Sequence, residues 1–184
     1  FAGNSINRET DSRKDFIGRL GAEKVIGKWG KWGLGASYYN GGVYNPTTTA
    51  YEIQGKKFIA VDKGETGTYM KREYIGFDIQ FSFKNSLGTT TLRGEGLFGT
   101  QPGIATSSKS PNTGTRPANE PENSLFKRPF FGYFFYLVHD IATTPFSAVL
   151  KYDAYDPNTQ LKGNEIGVEN SLTSKTDLAQ STLG

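Results

Sequence analysis

The run EYIGFDIQFSFK at 73–84 constrains this chain more than any other stretch of it. Ile75, Phe77, Ile79, Phe81 and Phe83 alternate without a break with Tyr74, Gly76, Asp78, Gln80, Ser82 and Lys84. A helix repeats its apolar positions at three and four, so a sustained period of two excludes one. It predicts a long strand with one apolar and one polar face.

Five further runs read as strands, at 15–26, 31–40, 89–99, 129–141 and 146–156, and the one at 129–141 is apolar on both faces. The alternation puts Leu20, Trp32, Leu34, Leu92, Phe135, Leu137 and Leu150 in phase with Ile75, Phe77, Ile79 and Phe81. Arg19, Glu23, Arg93, Glu95, Lys151 and Asp153 fall on the opposite face with Asp78, Gln80 and Lys84. Short turns at 27–30, 85–88 and 142–145 join the runs into three hairpins. Turn geometry predicts Leu137 opposite Leu150, Ile141 opposite Phe146, Gln80 opposite Arg93 and Asp78 opposite Glu95. Arg93 is then expected to reach Asp78 diagonally. Phe134 and Tyr136 are expected beside Lys151 and Asp153.

The remaining connections, 41–72, 100–128 and 157–184, are long and polar. Compact soluble domains rarely carry three loops beyond ~15 residues. Outer-membrane barrels pair short turns at one end with long loops at the other, and strands of about 9–11 tilted residues cross a bilayer. Aromatics stand where interfaces would lie: Trp29, Trp32, Phe83 and Phe146 beside the turns, Tyr38, Tyr74, Phe131, Tyr133 and Tyr152 towards the loops. No run approaches the ~18 apolar residues of a transmembrane helix.

The expected architecture is therefore all-β: one partial domain over 1–184, six strands in three hairpins of an antiparallel transmembrane β-barrel. Six strands are fewer than the ~8 of the smallest membrane barrels, so the chain reads as a piece of a larger one. Residues 1–14 read as the end of an external loop and 181–184 as the opening of a seventh strand. A barrel assembled from several short chains is one alternative. A soluble β-sandwich is another, because its strands also alternate, but a sandwich needs a second sheet over the Phe77, Phe81 and Phe83 face.

Composition narrows the chemistry. The chain has no Cys, which excludes thiol catalysis and disulfides, and a single His. A net charge of +3 is too small to argue for nucleic acid. Asp140 and Ser147 fall opposite each other, but His139 points to the other face, so no catalytic triad is expected. Asp153, Asp156 and Asn158 offer oxygen ligands without a calcium-loop spacing; Asp-Pro-Asn reads as a turn. Gly94-Glu95-Gly96 lacks the strand-to-helix context of a phosphate loop. The loop cations Lys56, Lys57, Lys63, Lys71, Arg72, Lys109, Arg116, Lys127 and Arg128 read as a solvated surface, as an attraction for anions at a channel mouth, or as partners of lipopolysaccharide phosphates.

One resemblance accompanies this reading. The run KYDAYDPNT at 151–159, a basic residue and an aromatic–Asp–x–aromatic stretch ending in Asp-Pro-Asn, resembles a strand end of porins related to the phosphate-selective porin family. The FGYFFY arm at 131–136 is similar to the same region of that family. The resemblance implies a water-filled, trimeric barrel of about sixteen strands in a Gram-negative outer membrane, passing small solutes, anions included. Phosphate-selective members line the pore with an Arg and Lys ladder; the acids here depart from it.

The functional expectation is a passive diffusion channel without cofactor, metal site or enzymatic activity. Its pore would be lined by Arg19, Glu23, Asp78, Gln80, Lys84, Arg93, Glu95, Lys151 and Asp153. Membrane lipid, lipopolysaccharide and small solutes are its expected partners, in a homo-trimer or a larger envelope complex. The alternative is a non-conducting outer-membrane barrel that docks a partner through 41–72 and 100–128.

Overall fold

The structure is a computed structural model that describes residues 13–62, 66–111 and 117–184. It is all-β, with nine strands in one sheet: β1 (Phe16–Ile26), β2 (Gly30–Tyr44), β3 (Thr49–Gln54), β4 (Lys57–Asp62), β5 (Tyr69–Asn85), β6 (Gly88–Gly103), β7 (Leu125–Ile141), β8 (Ser147–Asp156) and β9 (Gln180–Leu183). The spatial order β1-β2-β5-β6-β7-β8-β9 is antiparallel throughout, and the described strands do not close into a ring. The sandwich alternative fails here, because all described strands belong to one sheet.

All six expected strands form, in the expected hairpins and register. Leu137 pairs with Leu150, Gln80 with Arg93, and Asp78 with Glu95. Ile141 N–H donates to the Phe146 carbonyl at 3.0 Å. The tight turns carry local signals: Gly27 adopts φ +55°, and Asn85 Oδ1 accepts from the Leu87 N–H at 2.8 Å.

Strand number and loop length need correction. The connection expected at 41–72 holds the β3–β4 hairpin, turning at Gly55 with φ +64°. The flanking strands run on, to Tyr44 on one side and from Tyr69 on the other. Likewise β6 continues to Gly103 and β7 starts at Leu125, which shortens the expected loop 100–128 from both ends. Residues 157–184 hold single-turn 3₁₀ helices at Gly163–Glu165 and Lys175–Asp177, and then β9, the expected seventh strand. The sheet is not purely antiparallel either: β3 pairs in parallel with the first residues of β7, Ala50 with Leu125 and Glu52 with Lys127. Beyond Asp156, β8 no longer occupies that edge of β7, and β3 takes the vacant backbone groups. Residues 1–12, with Lys63 and Arg116, lie outside the described residues.

The core is not in the middle of the sheet. The buried apolar residues Val43, Ala50, Phe58, Met70, Leu125, Phe126, Phe130 and Leu161 all lie at the end where the long connections meet. Tyr51 stacks on Phe126 at 4.5 Å between centroids, and Phe58 meets the same ring edge-on at 5.0 Å.

Candidate functional site

The register sorts every strand residue onto one of two faces. Leu20, Ala36, Phe77, Gly96, Tyr133 and Ala154 form one row across six strands. Ala22, Leu34, Ile79, Gly94, Phe135 and Tyr152 form the next, and Trp32, Phe81, Leu92, Leu137 and Leu150 the one after. The central rows carry no charge except Lys24 at the sheet edge beside Trp32. They are also solvent-exposed: Leu20 is 83% accessible, Phe77 56% and Leu150 47%. A water-facing sheet would expose such rows only at a large hydrophobic cost.

Aromatic rings gather at both ends of this apolar face. Phe16 and Tyr38, Phe131 and Tyr133, and Tyr133 and Tyr152 neighbour each other at the loop end, with centroids 6.3, 5.6 and 5.9 Å apart. Trp32, Phe83 and Phe146 stand at the turn end, where Phe81 and Phe83 lie 5.5 Å apart. Tyr74 is the exception to the expected pattern. It stands on the polar face, stacks on Tyr39 at 5.0 Å and donates to Gln101 Oε1 at 3.0 Å.

Seven of the nine expected residues stand on the polar face in two adjacent rows, and Arg19 stands in the next row with Ser37 and Gly76. Asp78, Glu95, Phe134 and Asp153 form one; Glu23, Gln80, Arg93, Tyr136 and Lys151 form the other. The expected Arg93–Asp78 contact is replaced. Arg19 takes Asp78 instead, with Nη2 2.7 Å from Oδ1 and Nε 3.2 Å from Oδ2. Gly35 makes this possible, because a Cβ there would collide with both side chains. A cavity of about 360 Å³ opens beside the pair, lined by Glu23, Lys31 and Gln80 as well. Lys151 binds Asp153 at 2.5 Å and lies over the Tyr136 ring. Lys84 sits at the turn rim rather than mid-face: its N–H donates to the Trp29 carbonyl at 2.7 Å.

At the loop end this polar face is covered. Residues 104–110 and 171–177, with Phe58, fold over it and bury two ion pairs. Arg128 Nε donates to Asp177 Oδ1 at 2.9 Å, with both side chains almost inaccessible (1% and 0%). Asn158 Nδ2 donates to the same oxygen at 3.1 Å, and the Ser174 N–H to Oδ2 at 2.9 Å. The Arg128 guanidinium also packs on the Phe58 and Phe126 rings. Nearby, Arg72 binds Asp15 at 2.9 Å, with Tyr39 hydrogen-bonded to both.

The loop cations are therefore not one solvated set. Arg72 and Arg128 are buried braces; Lys56 pairs with Glu165 at 2.8 Å, Lys71 with Glu73 at 2.8 Å and Lys127 with Glu52 at 3.6 Å. The Lys56 ammonium, donating to Glu165, is the main reason that carboxyl sits below the ordinary glutamate range. Asp156 forms the expected turn, its Oδ1 accepting from the Asn158 N–H at 2.9 Å, while Asn158 is buried on Asp177. Ser147 Oγ donates to Asp140 at 2.6 Å, and His139 faces away, on Thr90 and the Leu87 carbonyl. Asp177 and Asp15 escape sequence reasoning because they stand 49 and 57 residues from the arginines they neutralise.

Compared with family models, curated proteins and solved structures, the chain matches none of them.

Proposed function

We propose that this chain forms part of the wall of an outer-membrane porin, a passive diffusion channel for small solutes. The observation that carries this reading is the division of one meander of strands into two faces of opposite character. One is exposed and apolar, while the other holds Arg19, Asp78, Arg93, Glu95, Lys151 and Asp153. Along β5 the apolar stretch from Ile75 to Phe83 spans ~26 Å at about 3.3 Å per residue, close to the ~25 Å apolar band of membrane barrels. Lipid would cover that face, with the two aromatic groups at its interfaces. The polar face would line a water-filled lumen, and further strands would pair with the free edge of β1 and close the barrel. The similarity of 151–159 to the phosphate-selective porin family agrees with this reading, which implies an outer-membrane location, a trimeric assembly and contact of the loops with lipopolysaccharide. Mixed acids and bases on the polar face speak against a phosphate filter.

A second reading is a non-conducting barrel that serves as a docking partner within an envelope complex. The covering of the polar face by 104–110 and 171–177 favours it, because that cap narrows any lumen at the loop end.

Reconstitution into planar bilayers tests both readings. The channel reading expects detergent-dependent extraction, ohmic ion-selective steps, and a shift towards cation selectivity in Arg93→Glu. Insertion without conductance would favour the docking barrel. Release from membranes by alkaline wash without detergent would overturn both.

A further inference from the structure

We propose that Asn45, Glu52, Tyr69 and Lys127 form a subsite for one uncharged sugar residue at the loop end, on the outer side of the wall. Only the source of that sugar rests on the outer-membrane reading above.

Asn45 is a buried donor with nothing to bind. It is 1% exposed, and its Oδ1 accepts from the Thr47 hydroxyl at 3.0 Å. That bond orients the amide, and Nδ2 is left buried without a hydrogen-bond partner among the described residues. Arg72, Arg128 and Asn158 also carry such atoms, but inside the Asp15 and Asp177 ion-pair clusters. Asn45 instead borders a cavity of about 220 Å³, shared with Glu52, Tyr69, Met70 and Lys127. Topology brings these residues together: Asn45 follows β2, Tyr69 opens β5, and the parallel β3–β7 bridge sets Glu52 beside Lys127. Tyr44 meets the Tyr69 ring edge-on at 6.0 Å and the Arg13 guanidinium lies 5.1 Å from its centre, which holds the ring in place.

This wall selects against charge. Glu52 Oε1 lies 3.6 Å from Lys127 Nζ, and Lys71, also on the wall, is neutralised by Glu73 at 2.8 Å. A lone anion would feel both acids and a lone cation both lysines, while a zwitterion would have to part Glu52 from Lys127. An apolar occupant would leave Asn45 Nδ2 unpartnered. Hydroxyls meet none of these penalties, because each both donates and accepts. They can accept from Asn45 and Lys127 and donate to Glu52, with the C–H face of the ring against Tyr69 and Met70. Drug-sized ligands fill about 300–1,000 Å³, so this smaller volume suits a single ring.

The cavity also sits at the right depth. Lys71 and Lys127 continue the phase of the apolar rows, four residues beyond Ile75 and Phe131 on their strands. Four residues of strand rise about 13 Å, which carries the cavity past the loop-end aromatics to the level of lipid headgroups. A glycolipid headgroup and a soluble sugar can both reach it.

The test is saturation-transfer NMR of the full chain in a sugar-free detergent, against methyl glucoside, methyl galactoside and methyl mannoside. Methyl glucuronide and alanine supply the charged and zwitterionic controls. Binding of at least one methyl glycoside is expected, with either control about tenfold weaker or more. Asn45→Asp removes the donor and should weaken binding about tenfold. Thr68→Trp fills the cavity, leaves the Asn45 side chain in place and should abolish binding. Monoglucosyl diacylglycerol added to the micelles distinguishes the sources. A urea midpoint raised in the wild type and not in Thr68→Trp assigns the site to a lipid headgroup; glycoside binding without that shift assigns it to a soluble sugar. Either result supports the subsite. No glycoside binding, equal binding of a control, or binding unchanged in either variant overturns it, and conductance judges the channel reading separately.

Discussion

The loop end and the middle of the sheet obey different rules within one set of strands. At the loop end, Phe126 is sandwiched between Tyr51, Phe58 and Arg128, and two arginines are neutralised out of reach of water. Further along the strands, the same β5 and β7 leave Phe77, Ile79 and Phe135 exposed. The first region packs against its own residues, though Asn45 Nδ2, Arg72 Nε, Arg128 Nη2 and Asn158 Oδ1 lie buried there without a hydrogen-bond partner among the described residues. The second leaves a regular apolar face uncovered by any described residue, and the proposed membrane setting rests on that exposure. Stability and environment are thus divided along the strand axis.

The largest expected effect separates the cap from the wall. Asp177→Ala leaves the Arg128 guanidinium buried and uncompensated, which costs about 3–5 kcal/mol. Limited proteolysis should then cut within 163–178 while the β5–β6 hairpin stays protected. The paired change Arg128→Met with Asp177→Leu should recover only part of the loss, since it removes the uncompensated charge but leaves Asn158 Nδ2 and the Ser174 N–H without their acceptor. Unchanged proteolysis in Asp177→Ala would remove the cap's claim to be self-supporting.

A middle-sized effect separates the two faces of the wall. Ile79→Lys puts a charge at mid-depth on the apolar side and should cost about 2–4 kcal/mol of folding into lipid vesicles. Gln80→Lys, one residue along, turns to the other side and should stay within about 0.5 kcal/mol. Refolded fractions across a urea series give both numbers; equal losses would mean that the faces are not distinguished by their surroundings.

The smallest effect is a titration in the cap. Because Lys56 holds Glu165 below its ordinary value of about 4.5, the ionised carboxylate is favoured in the folded protein. A depressed folded value contributes stability that is fully present above about 4.5 and fades as the pH falls through the folded value. The Glu165 carbon resonance should titrate below pH 4.5 and move up towards the ordinary value in Lys56→Met. No movement would detach Lys56 from the cap.

What the sequence makes legible follows the same division. The wall is readable because period-two alternation and tight turns are local signals: Gln80 opposite Arg93 and Leu137 opposite Leu150 follow from counting out of a short turn. The cap is not. Its ion pairs join residues far apart in the chain, and no local pattern marks Asp177 as the partner of Arg128. The β3–β4 hairpin lies between these cases. Tyr51 and Ile53, then Phe58 and Ala60, alternate around Gly55, but at six residues each the strands are short enough to pass for loop. The nearest diagonal points Arg93 at Asp78, whereas Gly35 clears a path for Arg19 from two strands away.

The parallel bridge between β3 and β7 sets an order in time. Ala50 meets Leu125 only after the intervening chain has been made, and closing so long a loop costs entropy that the neighbouring hairpins do not pay. Each β5–β6 or β7–β8 hairpin can zip from its own turn as soon as it exists. The cap therefore cannot close before β7 is in place, whereas the hairpins need only their own turns.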